Sequence, residues 1–357
     1  MNQERLRSIL ACMAERGLTQ MILTDRNSIE YLTGVKNNPM ERLYALYISS
    51  EREPVFFLNK LFRGPKTMPG VRLVWYFDAD DGVKMLSECV DHAKPCGVEK
   101  DMAAHVLLRL MDLKAATSFV NASFCVDSVR GRKSPHEAEL MRKSSLLNDE
   151  VMAEVVGRIR EGCTETGLAS ELKDMYQRRG AETAFTIVAF GDHGADPHYG
   201  PGDTVLKPGD TVLLDIGGIK DGYCSDMTRT VFYKSVSPKA REVYELVRKA
   251  NETAEAMVKP GVRFCDIDRA ARKVIEDGGY GEYFLHRLGH SIGQSVHEAG
   301  DVSAINLDPV LPGMTFSIEP GIYIPGEVGV RIEDLVLVTE DGCEVLNHYT
   351  KELQIIE

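Results

Sequence analysis

Two carboxylates, Asp215 and Asp226, flank a Gly-rich turn in the stretch DIGGIKDGYCSD. A short apolar run, Thr211 to Leu214, leads into the first of them. Asp221-Gly222 is a hairpin signal, and a two-residue loop there sets Lys220 opposite Tyr223 and Gly217 opposite Asp226. Asp215 lies two residues from Gly217, on the same side of the pleat, so both acids point off one face. Acids held together in an apolar ladder repel and lose hydration, and they need a cation. The plainer alternative is that one of them only caps the turn. Cys224, between them, reads as a small buried hydrophobe and not as a ligand.

More acids follow the same logic. Thr315, Ser317 and Glu319 alternate with Phe316 and Ile318, which puts Glu319 on the polar face of its strand. Val330-Arg331-Ile332-Glu333 places Arg331 and Glu333 on one face and leads into the apolar run Leu335 to Val338. Histidine supplies nitrogen. The run from Phe284 to Glu298 carries His286, His290 and His297, and its glycines argue against a helix. Four carboxylates and one imidazole exceed one small ion but suit two divalent ions roughly 3.5–4 Å apart. Oxygen-rich ligation with one nitrogen points to Mn, Co, Fe or Zn. Such a pair holds a bridging water as hydroxide, polarises a carbonyl and stabilises a tetrahedral intermediate, which is amide hydrolysis.

The elements that position these residues come in two copies. Ser134-Pro135 and Ser237-Pro238 each read as an N-cap with proline in the first turn of a long helix. Gly162, Leu168, Met175, Gly180 and His198 align with Gly261, Ile267, Val274, Gly279 and His297 at one constant offset. The stretch Lys207 to Asp215 matches Leu311 to Glu319, so Asp215 and Glu319 are equivalent. Two copies are too few for a solenoid. They predict one domain with pseudo-two-fold symmetry, its helices packed outside a shared, mainly antiparallel sheet.

Before Ser134 the chain is different. Residues 1–127 alternate helix and strand signals, with a hairpin over Ala45 to Ile48 and Val55 to Leu58, a strand over Val71 to Phe77, and helices near Val83 to His92 and Ala103 to Leu113. This stretch has no phosphate-binding glycine fingerprint and no cluster of histidines or acids, so it reads as a scaffold or oligomerisation domain. The basic run Arg130 to Pro135 is the candidate linker. The expected division is 1–127 and 128–357, as two domains suit 357 residues.

A formal net charge of −12 argues against nucleic acid and anionic membranes as partners. No apolar run is long enough to span a bilayer, and MNQERLRSIL lacks the core of a signal peptide. Eight cysteines, none in a CxxC pair, suit free thiols in a reducing cytoplasm.

The ordered set Asp215, Asp226, His290, Glu319 and Glu333 resembles the five metal ligands of the pita-bread (M24-type) peptidases, namely methionine aminopeptidase, aminopeptidase P and prolidase. HRLGHSIGQSVHE is similar to the signature of the proline-specific branch, with Gln294 where an aliphatic residue is usual. Asn27 to Gly34 looks like the creatinase-type N-terminal domain of that branch, which methionine aminopeptidases lack. Creatinase shares the fold without the metal ligands. The resemblance covers the whole chain. It implies an α+β fold, with a pita-bread catalytic domain after a smaller creatinase-like α/β domain.

The resemblance also implies roles. Asp215 chelates one ion, Asp226 and Glu333 bridge two, and His290 and Glu319 complete the set, with manganese first and cobalt, zinc or iron as the other metals. Glu319 carries protons for the bridging water. His198 and His297 bind substrate and stabilise the intermediate, and His286 lines the proline pocket. Arg331 grips a substrate carboxylate or fixes Glu333; its other reading is a pair with Asp334 or another surface acid. Phe190 replaces the usual Ser-Gly opening of the loop before His198. The implied activity is cleavage of the Xaa-Pro bond by a homodimer. Prolidase, which takes dipeptides, is preferred to aminopeptidase P because the chain has no large insertions. A creatinase-like C–N hydrolase or lyase, and a non-catalytic binding module, are the readings from other classes.

Overall fold

The structure, a computed structural model, describes residues 1–357. The chain divides into two units, Met1–Arg130 and Gly131–Glu357.

In chain order the first unit contains α1 (Gln3–Glu15), β1 (Gln20–Leu23), α2 (Arg26–Thr33), β2 (Ala45–Ser49), β3 (Val55–Asn59), β4 (Arg72–Tyr76), α3 (Gly82–Ser87), β5 (Cys96–Val98), α4 (Ala104–Asp112), β6 (Phe119–Asn121) and α5 (Ser123–Gly131). The strands form one sheet in the order β4-β3-β2-β1-β5-β6. The hairpin expected from its two apolar runs is the antiparallel pair β2–β3. Helix α3 stops well before His92. The Ser87 hydroxyl takes the Lys84 carbonyl at 2.7 Å and the His92 ring meets the Ser87 carbonyl at 2.9 Å, so side chains occupy acceptors that a longer helix would need.

The basic run expected to link the domains is built into the structure. Arg132 bridges to Met314, Lys133 is buried with its ammonium 2.8 Å from Glu298, and Ser134 caps the next helix in a capping box with Glu137. Gly313 makes room for the run, since a Cβ there would come 2.9 Å from the Lys133 carbonyl.

The second unit continues with α6 (Pro135–Val156), α7 (Glu165–Arg178), β7 (Glu182–Phe190), β8 (Thr211–Lys220), β9 (Tyr223–Cys224), β10 (Met227–Tyr233), α8 (Pro238–Met257), α9 (Phe264–Asp277), β11 (Gly289–Ser291), β12 (Glu298–Val302), β13 (Thr315–Ile318), β14 (Gly321–Ile324), β15 (Val328–Arg331), β16 (Asp334–Val338), β17 (Cys343–Val345) and β18 (Ile355–Ile356). The repeat is visible in its packing. One buried core joins α6 and α7 to β7, β8 and β10, and a second joins α8 and α9 to β13 through β16. Each long helix also aims a buried asparagine at the strand carrying an acid. Asn148 donates to the Ile216 carbonyl at 3.0 Å, and Asn251 donates to the Ile318 carbonyl at 2.9 Å.

The expected single shared sheet is not continuous. The strands form two five-stranded sheets, one containing β18-β10-β8-β7 and the other β12-β11-β13-β16-β17, with β14–β15 as a separate pair. β18 runs parallel to β10; the other pairs of this unit are antiparallel. Between β13 and β14 the chain passes through Pro320, which has no N–H for a ladder. At the seam, the Glu333 amide reaches the Thr228 carbonyl at 3.1 Å and the Arg331 amide reaches the Thr230 hydroxyl at 3.3 Å. The acids collect at this seam.

Candidate metal centre

The opening hairpin sets the first pair of acids. Asp221 and Gly222 both have positive φ, 51° and 82°, as a type I′ turn requires. Lys220 pairs with Tyr223, and the ladder resumes in the same register with Met227 opposite Ile216 and Thr228 opposite Asp215. Asp226 therefore stands across from Gly217, on a short diagonal from Asp215. A Cβ at Gly217 would run into the Phe185 ring.

His290 arrives on β11, and Glu319 follows directly on the end of the neighbouring β13. The His290 amide donates to Ser317 Oγ at 3.0 Å, and the Glu319 amide donates to the Leu288 carbonyl at 2.8 Å. Gly289 permits this approach, as any Cβ there would overlap the Ser317 carbonyl. Glu333 sits in the short break before β16, with Thr228 donating to its Oε2 at 2.7 Å.

Asp226, His290 and Glu333 are all buried, and their ligand atoms lie within 4.8 Å of one another. His290 Nε2 is 3.5 Å from Glu319 Oε1 and 3.7 Å from Asp226 Oδ2. Its Nδ1 is 3.2 Å from the Ser291 carbonyl, which can only accept, so Nδ1 carries the proton and Nε2 presents a lone pair. Burial, with His297 second, pushes this imidazole down to about 3, so it is neutral. The buried Oδ1 atoms of Asp215 and Asp226 have no hydrogen-bond partner. Carboxylates and a lone pair thus converge with no donor among them, a set that fits a divalent cation.

The acids respond as crowded, buried groups do. Burial, then Glu333, Asp215 and Glu319, holds Asp226 well above the usual carboxylate range. Glu333 is raised well above its ordinary value by burial and then by Glu319 and Asp215. Glu319 is pushed up to about 7 by burial, against the pull of Arg331.

Three histidines surround the cluster. The His297 ring lies 4.0 Å from that of His290, centroid to centroid. His198 is exposed in the turn after β7, yet near enough that its charge helps depress His297, behind burial and Arg287. His286 has both nitrogens engaged, Nδ1 at 2.7 Å from the Arg287 carbonyl and Nε2 at 2.8 Å from the Tyr323 hydroxyl. Burial pushes it down to about 4.

Arg331 is only 2% exposed, and its bonds run inward. It donates to Asp215 at 2.7 Å, Thr228 Oγ1 at 3.0 Å, Tyr323 Oη at 2.9 Å and the Pro197 carbonyl at 3.4 Å. Asp334 pairs with Arg229 and Lys351. Arg229 also donates to the Glu333 carbonyl at 2.7 Å, which steadies that acid from behind.

Several supporting residues escaped the reading of the sequence: Thr228, Tyr323, Arg229, the Asp268–Arg272 pair, and the two asparagines. Arg272 donates to the carbonyls of Phe284 and His286, at 3.2 and 3.0 Å, and so holds the segment that carries His286. Asn148 and Asn251 carried a usable signal. They share the spacing of Ser134 and Ser237, and each interrupts the apolar stripe of its helix.

The buried acid–imidazole cluster thus sits at the seam of a duplicated α+β fold, where it could hold a metal. Residues 139–340 match the profile of metallopeptidase family M24, and residues 5–131 match the creatinase/prolidase N-terminal domain. The chain belongs to metallopeptidase family M24, and its two-domain architecture is the pita-bread fold of that family. It is 38% identical to an uncharacterized peptidase of Staphylococcus aureus (strain USA300), over 92% of this chain and 94% of that one. Among solved structures, dipeptidase PepE from Mycobacterium ulcerans superposes with a TM-score of 0.91 at 35% identity, covering 99% of this chain and 97% of that one. Recombinant prolidase from Thermococcus sibiricus gives 0.92 at 31% identity, covering 100% of both. No helix is long and apolar enough to cross a membrane.

Proposed function

We propose that this chain is a cytoplasmic, homodimeric Xaa-Pro dipeptidase working with two divalent ions, manganese first among them, held by Asp215, Asp226, His290, Glu319 and Glu333. The acceptor-only cluster of Asp226, His290 and Glu333 carries this reading. The dipeptidase and prolidase among its structural neighbours support the substrate class, and eight free cysteines suit a reducing compartment.

When bound, such ions supply an acidified water and a polarised scissile carbonyl. Glu319 would be the carboxyl that holds a proton and delivers it to the proline nitrogen as the C–N bond breaks. The Ser317 hydroxyl, donating to Glu319 Oε1 at 3.0 Å, holds that carboxyl in place. His198 and His297 are the donors for the carbonyl oxygen as it gains charge. His286, neutral and with both nitrogens occupied, offers its ring surface to the pyrrolidine. Arg331, with its donors committed inside the chain, fixes Asp215.

The manganese-loaded protein is expected to hydrolyse a Xaa-Pro dipeptide at least ~10-fold faster, in kcat/KM, than the matching Xaa-Pro-Xaa tripeptide. Cleavage of the tripeptide alone would make it an aminopeptidase, and cleavage of neither would favour a creatinase-like hydrolase. Sedimentation as a single chain would count against the dimer.

The turn gives a second test. One alanine inserted between Asp221 and Gly222 shifts the register of Asp226 and turns its side chain to the other face. Manganese affinity, read by calorimetric titration, should fall by at least ~100-fold with all five ligands still in the chain, the loss of one strong ligand bond being worth about 3 kcal/mol.

A further inference from the structure

Glu165 is the first residue of α7 and its side chain is fully buried. A buried carboxylate is costly unless its oxygens are satisfied. Here four donors satisfy them. Oε1 accepts from the Phe190 amide at 2.8 Å and faces His193 Nδ1 at 2.8 Å. Oε2 accepts from the Tyr199 hydroxyl at 3.0 Å and the Gly202 amide at 3.0 Å. All four donors belong to the segment from Phe190 to Gly202, which carries His198.

The rest of that segment is held by weaker means. His193 and Tyr199 stack on each other at 4.4 Å, so the two side chains that reach Glu165 also brace one another. The His198 amide donates to Asp196 Oδ1 at 3.1 Å, a local turn. On its other side the Pro197 carbonyl accepts from Arg331, whose second arm holds Asp215. The His198 turn is thus pinned between a carboxylate on α7 and a guanidinium at the centre.

We propose that Glu165 is a positioning residue for His198: its carboxylate clamps both ends of the substrate-facing turn and so sets where that imidazole sits. It touches neither substrate nor metal. The assignment of a catalytic effect to this clamp rests on the role given to His198 above; the clamp itself does not.

Glu165→Gln tests it, because an amide nitrogen in place of one oxygen faces a backbone N–H, that of Phe190 or of Gly202, from which it cannot accept. Hydrogen exchange on the full chain, as purified and manganese-loaded, should show protection falling ~10-fold or more within residues 190–202 and little change in β8 and β10, as one unmade buried bond implies. Unchanged exchange in that segment overturns the clamp, whatever the enzyme cleaves. On a Xaa-Pro dipeptide, kcat/KM should drop about 30-fold with manganese content unchanged. In a His198→Ala background the same substitution should cost less than ~3-fold, since coupled residues are not additive. An equal loss in both backgrounds would overturn action through His198. So would an active His198→Ala enzyme with wild-type rates, which would leave the peptidase reading standing. Tyr199→Phe removes only one of the four bonds and guards against a Glu165 variant that fails to fold; its smaller loss should vanish in the same background.

Discussion

Asp226→Asn, or removal of the ions with a chelator, is expected to reduce dipeptide hydrolysis by at least ~1,000-fold, since a bound metal contributes several kcal/mol and each 1.36 kcal/mol is tenfold in rate. The same removal should reverse how stability depends on pH. Without ions, Asp226 and Glu333 are held well above their ordinary range by burial and by neighbouring acids, and Glu319 is pushed to about 7 by burial. A carboxyl whose folded value is raised binds protons more tightly in the native state than in the unfolded chain. Its stabilising contribution is fully present below the unfolded value, near ~4, and is lost as pH rises through the folded value. Relative to the ion-loaded protein, the ion-free protein should therefore lose stability as pH rises from 5.5 to 8. Bound cations favour the charged carboxylates and invert this slope.

Glu99 and Glu255, each raised to about 7 by burial elsewhere in the chain, titrate alike with or without ions. The difference between the two melting curves therefore isolates the centre. Calorimetry across this pH range, with manganese and with chelator, reads it; two parallel curves would remove the acid cluster as the metal site.

Local chemistry explains what could be read before any coordinates. The Asp221-Gly222 turn needs positive φ at two adjacent residues, and few dipeptides accept that, so the register of Asp215 and Asp226 followed from two letters. The paired Ser-Pro caps and bracketing glycines revealed the duplication because each is set by its own few neighbours. The seam between the sheets was hidden. It depends on Thr228 meeting Glu333 across the fold, and nothing near Thr228 in the chain announces that. Lys133 read as part of a linker because its partner Glu298 is remote in sequence. Arg331 could be assigned a face from strand alternation, but its partner could not be chosen among several acids by alternation alone. Nothing near Glu165 in the chain announces its role, since its four donors lie well downstream.

Arg331→Met is expected to destabilise the fold by about 3–5 kcal/mol, the usual cost of deleting one partner from a buried ion pair. The guanidinium spans Asp215, Thr228, Tyr323 and the Pro197 carbonyl, and methionine replaces none of those bonds. Asp215 would lose its partner at Oδ2 while its Oδ1 already lacks one. Arg331→Lys keeps the charge but offers one compact ammonium where a planar fork reached four groups, so it should recover less than about half of the loss. Ions change the size of the effect in a direction that separates packing from charge. Without them the uncompensated Asp215 carboxylate bears the full cost. With them a cation takes over part of the compensation, and the deficit should shrink by about 1–2 kcal/mol, the difference between a bare and a paired buried charge after partial screening. Urea midpoints for the wild type and both variants, each with manganese and with chelator, give these values. An equal deficit in the two conditions would mean that Arg331 acts through its packing alone and that Asp215 does not share its charge with the metal centre.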